Sequence, residues 1–355
     1  MLQKKRSRTL RSKLVQFGQD LLEGRRRGLF WLYPCSFCWR LAVFCKNWLY
    51  TYAFWTPNKV LRPVVSIGNV VAGGTGKTPL TLLLATHFSS RRVAILSRGS
   101  SLQGSLADEP ALLAQRCPSA RVYVGKNRLF SAKKAIEEEA DLLLLDDGFQ
   151  HRKLFRDVDI VLVSAKHPFS NGHYLPCGFL RDSPKRLGQA TAVCVHPIHS
   201  EEELETWKKS FPCRAPLIGV RLHVKRMVPD FSLHGVPAAF FCGIAHPDSF
   251  KKTLLGLGAV ILDEWRLADH EAPAISDLQH FALHAKSLGA KVLLCTEKDA
   301  VKWPSHQPLA LPLVYPEMEM VITAGHENWQ NLVDKIEKNI DNYRTYGKRS
   351  KNFTP

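Results

Sequence analysis

Two short stretches carry residues that could handle a phosphoryl group. The first runs Val64-Val65-Ser66-Ile67-Gly68-Asn69 into Val70-Val71-Ala72-Gly73-Gly74-Thr75-Gly76-Lys77-Thr78-Pro79. An apolar strand, a glycine-rich turn and then an apolar-periodic helix let backbone N–H groups wrap phosphate oxygens at the positive end of the helix. In such a loop Ala72, Gly73, Gly74, Thr75, Gly76, Lys77 and Thr78 line the phosphates. Lys77 reaches the β- and γ-phosphates and the Thr78 hydroxyl reaches Mg²⁺. The usual spacing has a glycine where this chain has Val71, so a turn that merely joins strand to helix is the alternative. The coincidence of strand, turn, Gly-Lys-Thr and helix favours a nucleotide.

The second stretch is Asp141-Leu142-Leu143-Leu144-Leu145 ending in Asp146-Asp147-Gly148-Phe149-Gln150-His151. Both carboxylates fall at the C-terminal end of a buried strand, the edge where open parallel sheets bind ligands. An acid there can hold Mg²⁺ directly or through water. Taken alone, an Asp-Gly turn is the simpler reading; beside a phosphate-binding loop it is not.

Positioning these residues requires a layered scaffold, and the hydrophobic pattern supplies one. Strands are expected at 63–69, 92–97, 121–124, 141–145, 159–164 and 192–195. Helices are expected at 79–89, 109–115, 128–139 and 201–210. Near-continuous apolar strands separated by helices mean a parallel sheet covered on both faces. The Pro-, Gly-, His- and Arg-rich stretch 166–186 reads as an exposed functional loop, and 215–232 as a strand-rich connection. A second α/β unit then starts, with strands at 238–242, 259–263 and 291–296 and helices at 247–256, 277–287 and 327–339. The pattern divides the chain into a basic amphipathic segment (1–60), a P-loop domain (61–231), a second, smaller domain (232–342) and a loose basic tail (343–355).

The charge is uneven. The chain carries +17, and residues 1–60 hold 12 Lys/Arg against only Asp20 and Glu23. No window there reaches the ~18 uncharged apolar residues of a spanning helix. On a helical wheel Arg40, Lys46 and Asn47 share one arc, opposite Leu41, Phe44, Cys45, Trp48, Leu49 and Trp55. That pattern describes a helix lying in an anionic membrane interface, with cations for the headgroups and Trp/Tyr at the boundary. The alternatives are an aromatic stripe packed on the protein's own core and an organellar transit sequence. No basic–aromatic module supports nucleic-acid binding. Nine cysteines form no zinc framework, and Cys35 and Cys38 read as a chance pair of buried thiols in a reducing compartment.

Taken in order, SIGNVVAGGTGKTP (66–79), LSRG (96–99), DEPALLA (108–114), VGKNR (124–128), LLDDGFQH (144–151), LPCGFLRDSPKRL (175–187) and TEKDAVK (296–302) resemble the tetraacyldisaccharide 4′-kinases, the lipid A kinases of Gram-negative-type bacteria. The resemblance covers about residues 30–335, and this family also lacks the glycine replaced by Val71. It implies an α/β fold, with a P-loop NTPase-type parallel sheet (α/β/α), a smaller α/β/α domain and an N-terminal amphipathic helix at the cytoplasmic face of the inner membrane. It further implies transfer of the ATP γ-phosphate, with Mg²⁺, to the 4′-hydroxyl of tetraacyldisaccharide 1-phosphate, giving lipid IVA.

The resemblance also assigns residues. Asp108 becomes the general base, paired with His270, with Lys77 on the transferred phosphate and Thr78, Asp146 and Asp147 toward the metal. From the residues alone, Asp108-Glu109-Pro110 is equally a good helix start, and His270 an ordinary loop histidine. The family reads Asp-His-His where this chain has Asp269-His270-Glu271. Lys126, Arg128, Arg181, Lys185 and Arg186 could grip substrate phosphate or form a solvated charge cluster. Thr296–Asp299 has no evident physical role. Two other classes compete: a P-loop ATPase or GTPase switch acting on a protein partner, with Gln150 positioning water, and a membrane adaptor without catalysis.

Overall fold

The structure, a computed structural model, describes residues 30–73, 76–99, 108–211, 213–269, 271–303 and 308–351; for Phe30, Asp108 and 346–351 it describes the backbone alone. The first long element is helix α1 (Tyr33–Thr51). The chain divides into two compact units, and α1 is shared between them. The larger holds Val43–Phe169, Asp182–Arg226 and the chain from Pro316; the smaller holds the residues up to Ala42, Ser170–Arg181 and Met227–Tyr315.

In the larger unit the elements follow as β1 (Val64–Gly68), α2 (Lys77–His87), β2 (Val93–Ser97), α3 (Asp108–Arg116), β3 (Arg121–Val124), α4 (Arg128–Glu137), β4 (Leu142–Asp146), β5 (Val158–Ser164), β6 (Ala192–His196), α5 (Glu201–Ser210) and β7 (Leu217–Val228). The strands lie in the order β3-β2-β4-β1-β5-β6-β7, and their pairings are parallel. Every residue of β1, β2 and β4 is buried. Strands with both faces covered must be apolar throughout, which is why Leu142–Leu145 shows no alternation. One face packs on Leu80, Leu84 and Phe88 of α2. The other packs on Ala132 and Ala135 of α4.

The smaller unit contains β8 (Pro237–Cys242), α6 (Pro247–Gly256), β9 (Val260–Arg266), α7 (Ile275–Ser287), β10 (Val292–Leu294) and the short α8 (Glu297–Ala300). Its strands are also parallel, β9 beside β8, β8 beside β10, and β10 beside the start of β11 (Leu313–Ala324). The chain leaves the larger unit within β7 and returns to it within β11, ending in helix α9 (His326–Lys351).

The division differs from the sequence-based one. Residues 170–181 go with the smaller unit, because Ser36 Oγ donates to the Tyr174 carbonyl (2.8 Å) and Tyr33 packs edge-on to His173. Strand β11 from Pro316 onward and helix α9 go with the larger, where Leu332, Val333 and Ile336 join its core. Residues 343–351 are helix rather than a loose tail. The Tyr343 hydroxyl donates to Asp157 Oδ1 (3.1 Å), and Arg344 pairs with Asp141 (3.2 Å). Residues 1–29 and 352–355 lie outside the described residues.

Helix α1 reverses the ordinary amphipathic arrangement. Of its residues only Ser36 is buried, while Tyr33, Phe37, Trp39, Leu41, Phe44 and Trp48 are exposed, Phe37 and Phe44 each by 64%. Its aromatic stripe is therefore not packed on the core. Lys46, expected to face lipid headgroups, turns inward and donates to the Gln150 carbonyl (2.8 Å). Cys35 and Cys38, expected as buried thiols, are exposed. Among the described residues, no helix is long and apolar enough to cross a membrane.

Candidate active site

The glycine-rich loop sits at the C-terminal edge of the larger unit's sheet. β1 delivers the chain into the loop, and α2 takes it away starting at Lys77. Gly73 and Gly76 have φ of +111° and +94°, a left-handed backbone that only glycine adopts without strain. Gly76 is the N-cap of α2, so its conformation aims the first N–H groups of the helix back over the loop. Gly74 and Thr75 lie outside the described residues.

The carboxylate pair arrives on β4, next to β1 in the sheet. Lys77 Nζ lies 3.6 Å from Asp147 Oδ1 and 3.5 Å from the Gly73 carbonyl. Asp146 is buried, and the Thr81 hydroxyl donates to its Oδ1 at 3.2 Å. Burial pushes its carboxyl up to about 6. The negative charges of Glu109 and Asp147 add to that rise, and Lys77 and the Thr81 bond oppose it. A buried carboxylate crowded by two others is a site that a divalent cation would relieve. Mg²⁺ characteristically takes one or two carboxylates and completes its shell with phosphate oxygens and water. Asp146, Asp147 and the buried Thr78 hydroxyl meet that description.

Of the cations expected to grip substrate, two are corrected. Arg128 is buried, and its guanidinium donates to the carbonyls of Gly125 (2.8 Å) and Asp146 (3.2 Å). Burial lowers its pKa to about 10. Arg186 is also buried, paired with Asp182, donating to the Phe149 carbonyl and stacked 4.0 Å over the Phe149 ring. Both fix the Asp146–Phe149 turn from within, because a buried guanidinium needs its donors satisfied by protein. Lys126 is exposed in the larger unit, and Arg181 is half-buried in the smaller.

Asp108 opens α3, with Pro110 in the first turn, where its missing N–H leaves no gap; its side chain lies outside the described residues, as does His270. Around position 270 the turn is closed by Glu271, whose carboxylate accepts from the Ala268 N–H (2.8 Å). The Thr296–Asp299 motif also acquires a role. Buried Asp299 accepts from the Gly243 N–H (3.1 Å) and the Thr296 hydroxyl (2.6 Å) and pairs with Lys302 (3.4 Å), tying the end of β10 to the end of β8.

Sequence reasoning passed over Thr81, Glu109 and the bracing role of Gln150. Thr81 had a readable signal, lying four residues after Lys77 and so on the same helix face. Gln150 Nε2 donates to the Asn69 carbonyl (2.6 Å). That engagement makes it a brace rather than the water-positioning group of a switch.

Comparison with known proteins agrees with this architecture. Residues 29–338 match the family model described as tetraacyldisaccharide-1-P 4′-kinase (LpxK). A tetraacyldisaccharide 4′-kinase of Chlamydia abortus is 33% identical, covering 87% of this chain and 89% of that protein. One from Syntrophus aciditrophicus is also 33% identical, covering 85% and 91%. The crystal structure of LpxK from Aquifex aeolicus in complex with ATP superposes with a TM-score of 0.67 at 25% identity, covering 86% of this chain and 98% of that one.

Proposed function

The chain belongs to the tetraacyldisaccharide 4′-kinase family, and from that premise we propose how its residues divide the reaction. The enzyme is an ATP-dependent kinase of lipid A biosynthesis. The O4′–P bond to the acceptor glycolipid forms as the bond between the γ-phosphorus and the β,γ-bridging oxygen breaks. Tetraacyldisaccharide 1-phosphate becomes lipid IVA, and ADP leaves.

The backbone of residues 72–76 cradles the phosphates, and Lys77 neutralises charge on the β- and γ-groups as it develops in the transition state. Thr78, Asp146 and Asp147 would hold Mg²⁺, whose contribution when bound is further neutralisation of the phosphate oxygens. Asp108 accepts the 4′-hydroxyl proton, with His270 as its partner. Lys126 and Arg181 meet the acidic acceptor. Arg128 and Arg186 are moved from substrate grip to positioning. One observation carries the reading: Lys77 at the mouth of the glycine loop lies 3.6 Å from Asp147, beside buried Asp146, whose carboxyl burial and the neighbouring carboxylates push up.

The outward aromatic face of α1 supports attachment to an anionic membrane surface, peripheral on the cytoplasmic face of the bacterial inner membrane. Apolar and aromatic groups enter the interface while polar groups stay with the protein.

The test uses purified protein, Mg²⁺, γ-labelled ATP and tetraacyldisaccharide 1-phosphate in detergent micelles, beside an Asp108→Ala variant. Label moving into the lipid, and falling by about two to four orders of magnitude in the variant, supports the kinase and the base together. ATP hydrolysis without labelled lipid overturns both.

A further inference from the structure

The inward face of α1 does more than hold the helix down. Its consecutive residues Lys46 and Asn47 each bond to a group that in turn bonds to the start of the phosphate-binding loop. Lys46 Nζ donates to the Gln150 carbonyl (2.8 Å), and Gln150 Nε2 donates to the Asn69 carbonyl (2.6 Å). Asn47 Nδ2 donates to Asp182 Oδ1 (2.9 Å), and the Asp182 N–H donates to the Val70 carbonyl (3.3 Å). Two adjacent helix side chains thus reach two adjacent carbonyls, three and four residues ahead of Gly73, through two parallel rungs. Asn69 and Val70 are completely buried, so their carbonyls depend on protein donors rather than on water.

The surroundings tighten the rungs. Asp182 also pairs with Arg186 and accepts from the Ser183 N–H (2.8 Å), while Arg152 donates to Asn47 Oδ1 (3.2 Å) and stacks 4.8 Å over Tyr50. The Lys46 ammonium is held below its ordinary pKa by burial, with Arg186, Arg152 and Arg156 adding to the effect and Asp182 opposing it. A cation kept in such company is anchored by specific bonds rather than by solvent. On the other side of the helix Phe44 and Trp48 are exposed, as are Tyr52, Phe54 and Trp55 just past its end.

We propose that Lys46 and Asn47 are positioning residues of the nucleotide site, and that seating α1 on a surface sets the backbone ahead of the glycine loop through the Lys46–Gln150–Asn69 and Asn47–Asp182–Val70 rungs. The second half of the statement rests on the membrane reading above; the rungs themselves do not. The physical requirement is small. A hydrogen bond worth about 1 kcal/mol net corresponds to ~5-fold in affinity, so two neighbouring rungs, which add only in part, amount to about tenfold.

The test titrates a fluorescent, non-hydrolysable ATP analogue with Mg²⁺ into the full chain in detergent micelles. The Lys46→Met/Asn47→Ala double variant is expected to bind it about tenfold more weakly. KM for ATP should rise to match, and KM for the glycolipid should stay within about twofold, with Lys46→Arg recovering part of the loss. Gln150→Met, which removes only the bond to Asn69, is the second variant should the double one fail to fold; about fivefold weakening is expected. Unchanged nucleotide affinity overturns the proposal, even if thermal stability falls. So does a rise confined to the glycolipid KM, which would make α1 an anchor only.

In parallel, co-sedimentation with phosphatidylcholine–phosphatidylglycerol vesicles checks the membrane reading. Phe44→Ser/Trp48→Ser should lose both sedimentation and any vesicle-induced tightening of the nucleotide. Wild-type protein that sediments with no gain in nucleotide affinity overturns the surface coupling. Wild-type protein that does not sediment overturns the membrane reading, and the rungs are then decided by the micelle titration.

Discussion

Two strand ends in this protein present a buried aspartate, and they use it in opposite ways. At the end of β10 in the smaller unit, Asp299 is saturated, accepting from the Gly243 N–H and the Thr296 hydroxyl and pairing with Lys302. At the end of β4 in the larger unit, Asp146 has the Thr81 hydroxyl at 3.2 Å and the charges of Glu109 and Asp147 nearby. The first carboxylate is a brace, and the surrounding backbone is its ligand. The second is held at a free-energy disadvantage that a cation would remove. The two strand ends are alike in topology, so placement at a sheet's C-terminal edge does not by itself make an acid functional. The charges gathered around it decide.

The comparison can be broken by exchanging the consequences. Asp146→Asn should lower kcat/KM by about two to three orders of magnitude, measured as label transfer to the glycolipid. Folding should be preserved or improved, since the amide removes a buried charge; a loss of only a few fold would mean Asp146 is another brace. Asp299→Ala should behave inversely. It removes the acceptor of the Gly243 N–H and the Thr296 hydroxyl and the carboxylate facing Lys302, so denaturant unfolding should show about 2–4 kcal/mol less stability, with KM for ATP unchanged.

The smallest expected effect sharpens the contrast through pH. With its native pKa raised to about 6 against about 3.9 unfolded, Asp146 favours the folded state in its protonated form. Its contribution to stability without ligand is therefore present at low pH and lost as pH rises through that window. Cation binding needs the ionised form and runs the other way. Mg²⁺-dependent tightening of a nucleotide analogue should weaken by up to about tenfold per pH unit below 6, and Asp146→Asn should abolish that slope. A slope that survives in the variant would assign the titration to another group.

Much of this was legible before the coordinates. The continuous apolar strands 64–68, 93–97 and 142–145 and the glycine loop announce a parallel sheet with a phosphate site at its edge, because both depend on local pattern. Strand β11 was not legible. It opens Leu313-Val314-Tyr315-Pro316-Glu317-Met318-Glu319, and a proline with two acids argues against a strand. Its Glu317 is tolerated because Arg116 (3.4 Å) and Arg226 (2.9 Å) reach it from elsewhere in the larger unit. The last turns of α9 were missed for the same reason, their anchors Asp157 and Asp141 lying far back in the chain.

The sequence by itself determined the class of chemistry. Gly-Lys-Thr after a strand, Asp-Asp at the end of another and a basic, aromatic N-terminal segment are short-range patterns, and short-range patterns fix which backbone and which charges are available. Only the tertiary structure decided how those charges are spent. It turned Arg128 and Arg186 into the core, crowded Asp146 with Glu109 and Asp147 and satisfied Asp299. It also pointed the polar face of α1 at the phosphate loop and its aromatic face away. Each of these depends on which groups meet across many residues of chain, and a buried charge takes its character from that company rather than from its neighbours in sequence.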